Sequence, residues 1–192
     1  MKHKYKMVII GGSAGSLSIL KTFFFKLNPS FPLPIVIITH TMPDNGQRSK
    51  EPPIIQHFTS LPVIEPSDKE EILPAHVYVA PANYHLLFDQ GLIVLSADPP
   101  EMYNRPSINV AFESAADEFG DELFAILLTG ANSDGAKGLS SIKQKGGHCI
   151  VQDPEDAEFP DMPRAAIKLV KDIDDVLPAN SIVQRLNSMI IG

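Results

Sequence analysis

Short apolar runs alternate with helical patterns along almost the whole chain. The run Lys6–Met7–Val8–Ile9–Ile10 reads as a buried strand, and Ser16 to Leu27 as a helix with Leu17, Leu20, Phe24 and Leu27 on one side. Ile35 to Thr39, Leu61 to Ile64, Val77 to Ala80, Leu123 to Thr129 and His148 to Gln152 read as further strands. Helices are predicted over Asn109 to Phe119, Ala136 to Lys145, Pro163 to Val170 and Pro178 to Ile190. Leu86–Phe88 and Leu92–Leu95, joined by Asp89–Gln90–Gly91, predict an antiparallel hairpin. Continuous apolar strands separated by helices imply an α/β fold: a doubly wound, mostly parallel sheet covered on both faces, with the hairpin as an antiparallel edge. In such sheets chemistry gathers beyond the carboxyl ends of the strands.

The 192 residues are expected to form one domain spanning 1–192. No run of 18 apolar residues is present, so no membrane insertion is expected. The formal net charge of −7 argues against nucleic acid as the main partner, because binding phosphates needs a basic face. Cys149 is the only cysteine and lies in an apolar run, which predicts a buried, inert thiol and fits a cytoplasmic chain. The histidines and carboxylates lack metal-ligand spacing, so chemistry without a cofactor or metal is expected. The sequence does not disclose the oligomeric state.

Three loops follow strands and carry reactive residue types. Gly11–Gly12–Ser13–Ala14–Gly15 matches G-x-S-x-G between a strand and a helix. That context puts the Ser13 hydroxyl at a helix N-terminus, where free N–H groups favour a developing oxyanion. The plain alternative is a phosphate-cradling loop. Ser13 in place of the second glycine, and Thr39–His40 where a ribose-binding acid would stand, both weaken that alternative. His40 directly follows the second strand and suits a general base, the alternative being a surface histidine. His85 also follows a strand; it is the rival base or a residue lining the substrate pocket. Asp134, in Thr129–Gly130–Ala131–Asn132–Ser133–Asp134–Gly135, suits an acid that orients the histidine. Its plain alternative is a helix N-cap, a task Ser133 can also perform. The order Ser, His, Asp differs from the Ser, acid, His of α/β-hydrolases. Arg105 is a candidate substrate anchor, or else the partner of a structural carboxylate.

Taken together these segments resemble the CheB methylesterases. Gly11–Gly15 resembles the family's nucleophile turn, and Leu73–Leu87 its LPG-x-x-YIAP-x-x-x-HLL segment. Arg105–Ala116 resembles its RPS-x-D-x-x-F-x-SAA helix, and Leu127–Leu139 its LLTGMG-x-DGA-x-GL loop. Gln152–Asp153 with Met162–Pro163–Arg164–Ala165–Ala166 resembles its closing Q-[ND]…GMP-x-AA. The resemblance implies a serine hydrolase with Ser13 as nucleophile, His40 as base, Asp134 as orienting acid and an oxyanion hole of Ala14 and Ala131 N–H groups. The implied partner and substrate is a methylated chemoreceptor, whose glutamate methyl esters would be hydrolysed and whose glutamines some relatives deamidate.

This sequence departs from the family in places. The Ser13 strand starts near residue 6, so no phosphorylation-receiver domain is expected ahead of it. Thr41 separates His40 from Met42–Pro43, residues 14 and 131 are both Ala, and Asp161, preceded by Pro160, stands where a glycine is usual. Another ester or amide as substrate, or a non-catalytic binding domain of the same fold, remain the alternatives.

Overall fold

The computed structural model describes residues 4–40 and 53–191. In chain order the elements are β1 (Met7–Gly12), α1 (Ser16–Lys26), β2 (Ile35–Thr39), β3 (Val63–Ile64), β4 (Glu70–Glu71), β5 (Val77–Val79), β6 (His85–Asp89) and β7 (Leu92–Ser96). Then follow α2 (Ile108–Phe119), β8 (Leu123–Leu127), α3 (Ala136–Gln144), β9 (His148–Gln152), α4 (Asp161–Leu169), β10 (Asp175–Leu177) and α5 (Ala179–Ile191). Among the described residues, seven strands form a parallel sheet in the order β10-β9-β8-β1-β2-β5-β3.

Because side chains alternate along a strand, each central strand feeds two cores. Met7 and Ile9 of β1, Val36 and Ile38 of β2, and Ala125 and Leu127 of β8 face one way. They pack on Ile108 and Phe112 of α2, Leu139 and Ile142 of α3, and Met162 of α4. The intervening Val8, Ile10, Ile35, Ile37, Phe124 and Ile126 face the other way, against Leu20, Phe23 and Phe24 of α1 and Ile182 and Leu186 of α5. Burial on both faces is why these strands read as unbroken apolar runs.

The expected α/β architecture is present, with three refinements. The β6–β7 hairpin is antiparallel, but it joins β4 in a separate three-stranded sheet rather than edging the parallel one. Leu86, Phe88 and Ile93 attach that sheet to the core on the α2 side. In α1, Leu17 is exposed and Phe23 takes the buried place. An additional edge strand, β10, pairs with β9.

Candidate active site

β1 lies between β2 and β8, and its register fixes what stands beside its end. Gly12 pairs with Thr39 and Gly11 with Leu127, so three carboxyl ends stop at one level. The next residues are Ser13, His40 and the loop from Leu128 to Gly135.

The Ser13 turn is tightly held. Its N–H donates to Thr129 O at 2.9 Å, and its carbonyl accepts from Ser16 N–H at 3.0 Å and Ser16 Oγ at 2.6 Å. Gly15 closes the turn at φ +80°, and a Cβ there would meet the Glu158 carboxylate at 2.9 Å. The positive φ is what favours glycine there.

The three predicted residues form one hydrogen-bonded chain. Ser13 Oγ lies 3.0 Å from His40 Nδ1, and His40 Nε2 lies 2.7 Å from Asp134 Oδ2. A carboxylate only accepts, so Nε2 carries the proton and Nδ1 presents its lone pair to the serine hydroxyl. The ring thus uses the opposite nitrogens from the serine-protease template, in which Nε2 faces the serine.

Asp134 is fully buried. Its Oδ2 also accepts from Ile108 N–H at 2.9 Å. Its Oδ1 accepts from Asn109 N–H at 2.9 Å and Ser107 Oγ at 3.1 Å. Burial pushes this carboxyl up, but the hydrogen bond from His40, those from Asn109 and Ile108, and the His40 charge outweigh it and leave the group below its ordinary value. The acid does not cap its own helix. The N-cap of α3 is Gly135 at φ +94°, with no side-chain cap from Ser133 or Asp134. Asp134 instead satisfies the free N–H groups at the start of α2, where the helix dipole favours a negative charge. Asn109 of α2 returns the service: its Oδ1 accepts from Gly135 N–H at 2.8 Å and Gly138 N–H at 3.1 Å.

Sequence reasoning missed Ser107, Asn109 and Gln152 as supports of the site. All three are fully buried polar residues. Gln152 Oε1 accepts from Thr129 N–H at 2.9 Å, fixing the residue whose carbonyl holds Ser13. Polar residues inside otherwise apolar core segments were the available signal.

The backbone N–H groups of Ala14 and Ala131 make no hydrogen bond among the described residues. A cavity of about 150 Å³ opens beside His40, lined also by Asn83, Pro100, Tyr103, Arg105 and Pro106. Arg105 donates through Nη1 to Ala97 O at 2.9 Å and Asp98 O at 3.0 Å. Its Nε is buried and has no partner among the described residues. His85 is engaged away from the cavity: it is buried, Nδ1 accepts from Ser107 N–H at 3.2 Å and Nε2 donates to Pro99 O at 3.1 Å. Both ring nitrogens are engaged in holding the Ser107 segment, and the ring does not line the cavity. Thr41, Met42 and Pro43, where the sequence departs from the family, lie outside the described residues.

A larger hollow of about 400 Å³, at Tyr5, Pro32–Pro34 and Phe119, contains no serine, cysteine or histidine. Among the described residues no cluster of His, Cys, Asp and Glu suits a metal ion, and no helix is long and apolar enough to cross a membrane.

The chain matches the family described as CheB methylesterase over residues 8–186. A protein of Leptospira interrogans is 41% identical over 183 residues, covering 94% of this chain and 92% of that relative. Protein-glutamate methylesterase/protein-glutamine glutaminase 4 of Geobacter metallireducens is 35% identical over 188 residues, 97% of this chain but 53% of that protein. The crystal structure of the Thermotoga maritima CheB methylesterase catalytic domain superimposes with a TM-score of 0.86 at 31% identity, covering 97% of this chain and 99% of that one.

Proposed function

This chain belongs to the CheB methylesterase family, and on that premise we propose that it hydrolyses glutamate γ-methyl esters of chemoreceptors through Ser13, His40 and Asp134. The observation that carries the reading is the unbroken Ser13–His40–Asp134 chain at 3.0 and 2.7 Å, at the carboxyl edge of the sheet.

In the proposed mechanism Ser13 Oγ attacks the ester carbonyl while its proton passes to His40 Nδ1. The developing oxyanion is taken up by the N–H groups of Ala14 and Ala131, the first at the turn into α1. Collapse breaks the acyl–oxygen bond, and His40 returns the proton to the departing methoxide, which leaves as methanol. Water, deprotonated by the same nitrogen, then cleaves the acyl-enzyme to free glutamate and Ser13. Asp134 keeps Nε2 protonated and stabilises the imidazolium of each step. A glutamine side chain would pass through the same acyl-enzyme with ammonia leaving, the second activity in the Geobacter relative's name. Arg105, a cation lining the cavity beside His40, is the proposed anchor for substrate carbonyl or carboxylate groups. No step calls on a metal or cofactor, and the proposed site of action is the cytoplasm.

The test is methanol release from methylated chemoreceptor fragments, wild type against Ser13→Ala. Release that disappears in Ser13→Ala supports both nucleophile and substrate. A wild type that is labelled at Ser13 by a phosphonate yet releases no methanol would retain the hydrolase and discard the receptor. Failure of both would turn the reading to a non-catalytic domain.

A further inference from the structure

One wall of the cleft is built at a conformational cost. Glu101–Asn104 is a tight turn in which Asn104 N–H donates to Glu101 O at 2.8 Å and Glu101 N–H to Asn104 O at 3.1 Å. Its two central residues, Met102 and Tyr103, have φ of +47° and +67°. These are the signs of a type I′ turn, where Asn and Gly sit easily and larger side chains do not. A turn serving only to reverse the chain would be better made by Asn-Gly.

The turn is also firmly held. Asn104 Nδ2 donates to Met102 O at 2.9 Å, and Asn109 Nδ2 donates to Glu101 Oε1 at 3.0 Å. An acid at position 109 would repel Glu101, whereas the amide binds it. Asn109 is the same residue whose Oδ1 holds the Gly135 N–H, next to Asp134. Yet Tyr103, the residue this arrangement displays, has 102% relative exposure, so its ring is packed on nothing. It shares the cavity with His40.

The cavity size says what kind of molecule meets that ring. About 150 Å³ takes an esterified side chain, well short of the roughly 300–1,000 Å³ that encloses a typical small ligand. The remaining contact must come from outside the cavity, where the ring of Tyr103 stands exposed. A rigid aromatic ring offers large contact area at small entropic cost.

Resting on the methylesterase reading, we propose that Tyr103 is a specificity-determining residue: its ring packs against the polypeptide carrying the ester and holds that side chain in the cleft. The test compares wild type, Tyr103→Ala and Tyr103→Phe on two substrates, a methylated chemoreceptor fragment and p-nitrophenyl acetate. The Tyr103→Ala loss in kcat/KM on the fragment should exceed its loss on p-nitrophenyl acetate by about tenfold, mainly through KM, as for truncation of an interface aromatic. Tyr103→Phe should recover most of it, and Tyr103→Gly, which relieves the backbone, should show the same selective loss with no fall in thermal midpoint. Equal losses on both substrates, or an undiminished rate on the fragment, would overturn the role of Tyr103 while wild-type methanol release keeps the methylesterase reading. A wild type that turns over p-nitrophenyl acetate but not the fragment would overturn the protein substrate, and this proposal with it.

Discussion

Asp134→Asn changes one atom's chemistry and should damage both stability and turnover. The carboxylate accepts four hydrogen bonds: from Ser107 Oγ and Asn109 N–H at one oxygen, and from Ile108 N–H and His40 Nε2 at the other. An amide nitrogen on either side faces a backbone N–H, donor against donor, in a fully buried site. One stranded N–H costs about 1–3 kcal/mol, and losing the charge that His40 and the α2 N-terminus bind brings the total to roughly 3–5 kcal/mol. For a chain of this length that is a fall of about 6–20 °C in Tm. If the amide turns its NH₂ toward His40, Nε2 must accept, the ring proton moves to Nδ1, and the base facing Ser13 is lost. The corresponding change in the serine-protease template costs about 10⁴ in kcat. The sign of the pH effect follows from the lowered carboxyl. Its stabilisation is complete above the ordinary carboxylate value and is lost as pH falls through the depressed one, so the variant should lack that part of the wild-type acid sensitivity. Calorimetry between pH 7 and the acid limb, with kcat measured alongside, tests both claims. A Tm within 2 °C of wild type, about 1 kcal/mol or less, would refute the account of the acid as a helix anchor; kcat within tenfold, in a variant whose crystal structure shows His40 Nε2 on the amide nitrogen, would refute the tautomer argument.

Two further outcomes follow from the same structure. Gln152→Leu keeps side-chain bulk but strands the buried Thr129 N–H, so a loss of about 1–3 kcal/mol is expected in urea unfolding. Its kcat should fall as well, since Thr129 O holds the Ser13 turn. Cys149 is buried and its thiol is pushed up to about 12, by burial first and then by Asp174. Iodoacetamide at pH 8 should therefore leave the native protein unlabelled and modify it fully in urea; rapid native labelling would contradict the placement of this residue.

Much of this was legible because burial leaves a mark on sequence. β2 and β9 run over the residues predicted, since strands covered on both faces are apolar along most of their length. Ser13, His40 and Asp134 could be singled out because each follows such a run. Elements without that mark escaped notice. β10 is three residues at the sheet's edge with Val176 exposed, and β4 is two glutamates paired with Leu92 and Ile93. The hairpin was readable from its own residues, but its pairing with β4 depends on a segment over twenty residues earlier. The supports of the site escaped for the same reason: Asn109 acts on a backbone 26 residues away and Gln152 on one 23 residues away.

The exchange between those two residues explains how the acid can be buried at all. Each helix begins at a loop with N–H groups that need acceptors. α2 receives the carboxylate of Asp134, and α3 receives the amide oxygen of Asn109. Neither residue can move without exposing the other helix's donors, so the distance from Asp134 to His40 is set by two helices packed together rather than by the flexibility of one loop. That rigidity bears on the reversed imidazole. The chemistry requires one ring N–H on a fixed acid and one lone pair on the serine, and either nitrogen can meet either need. With Oδ2 fixed at the α2 N-terminus and Ser13 fixed through Thr129, the ring is placed by its two partners, and the atom names follow from where they stand.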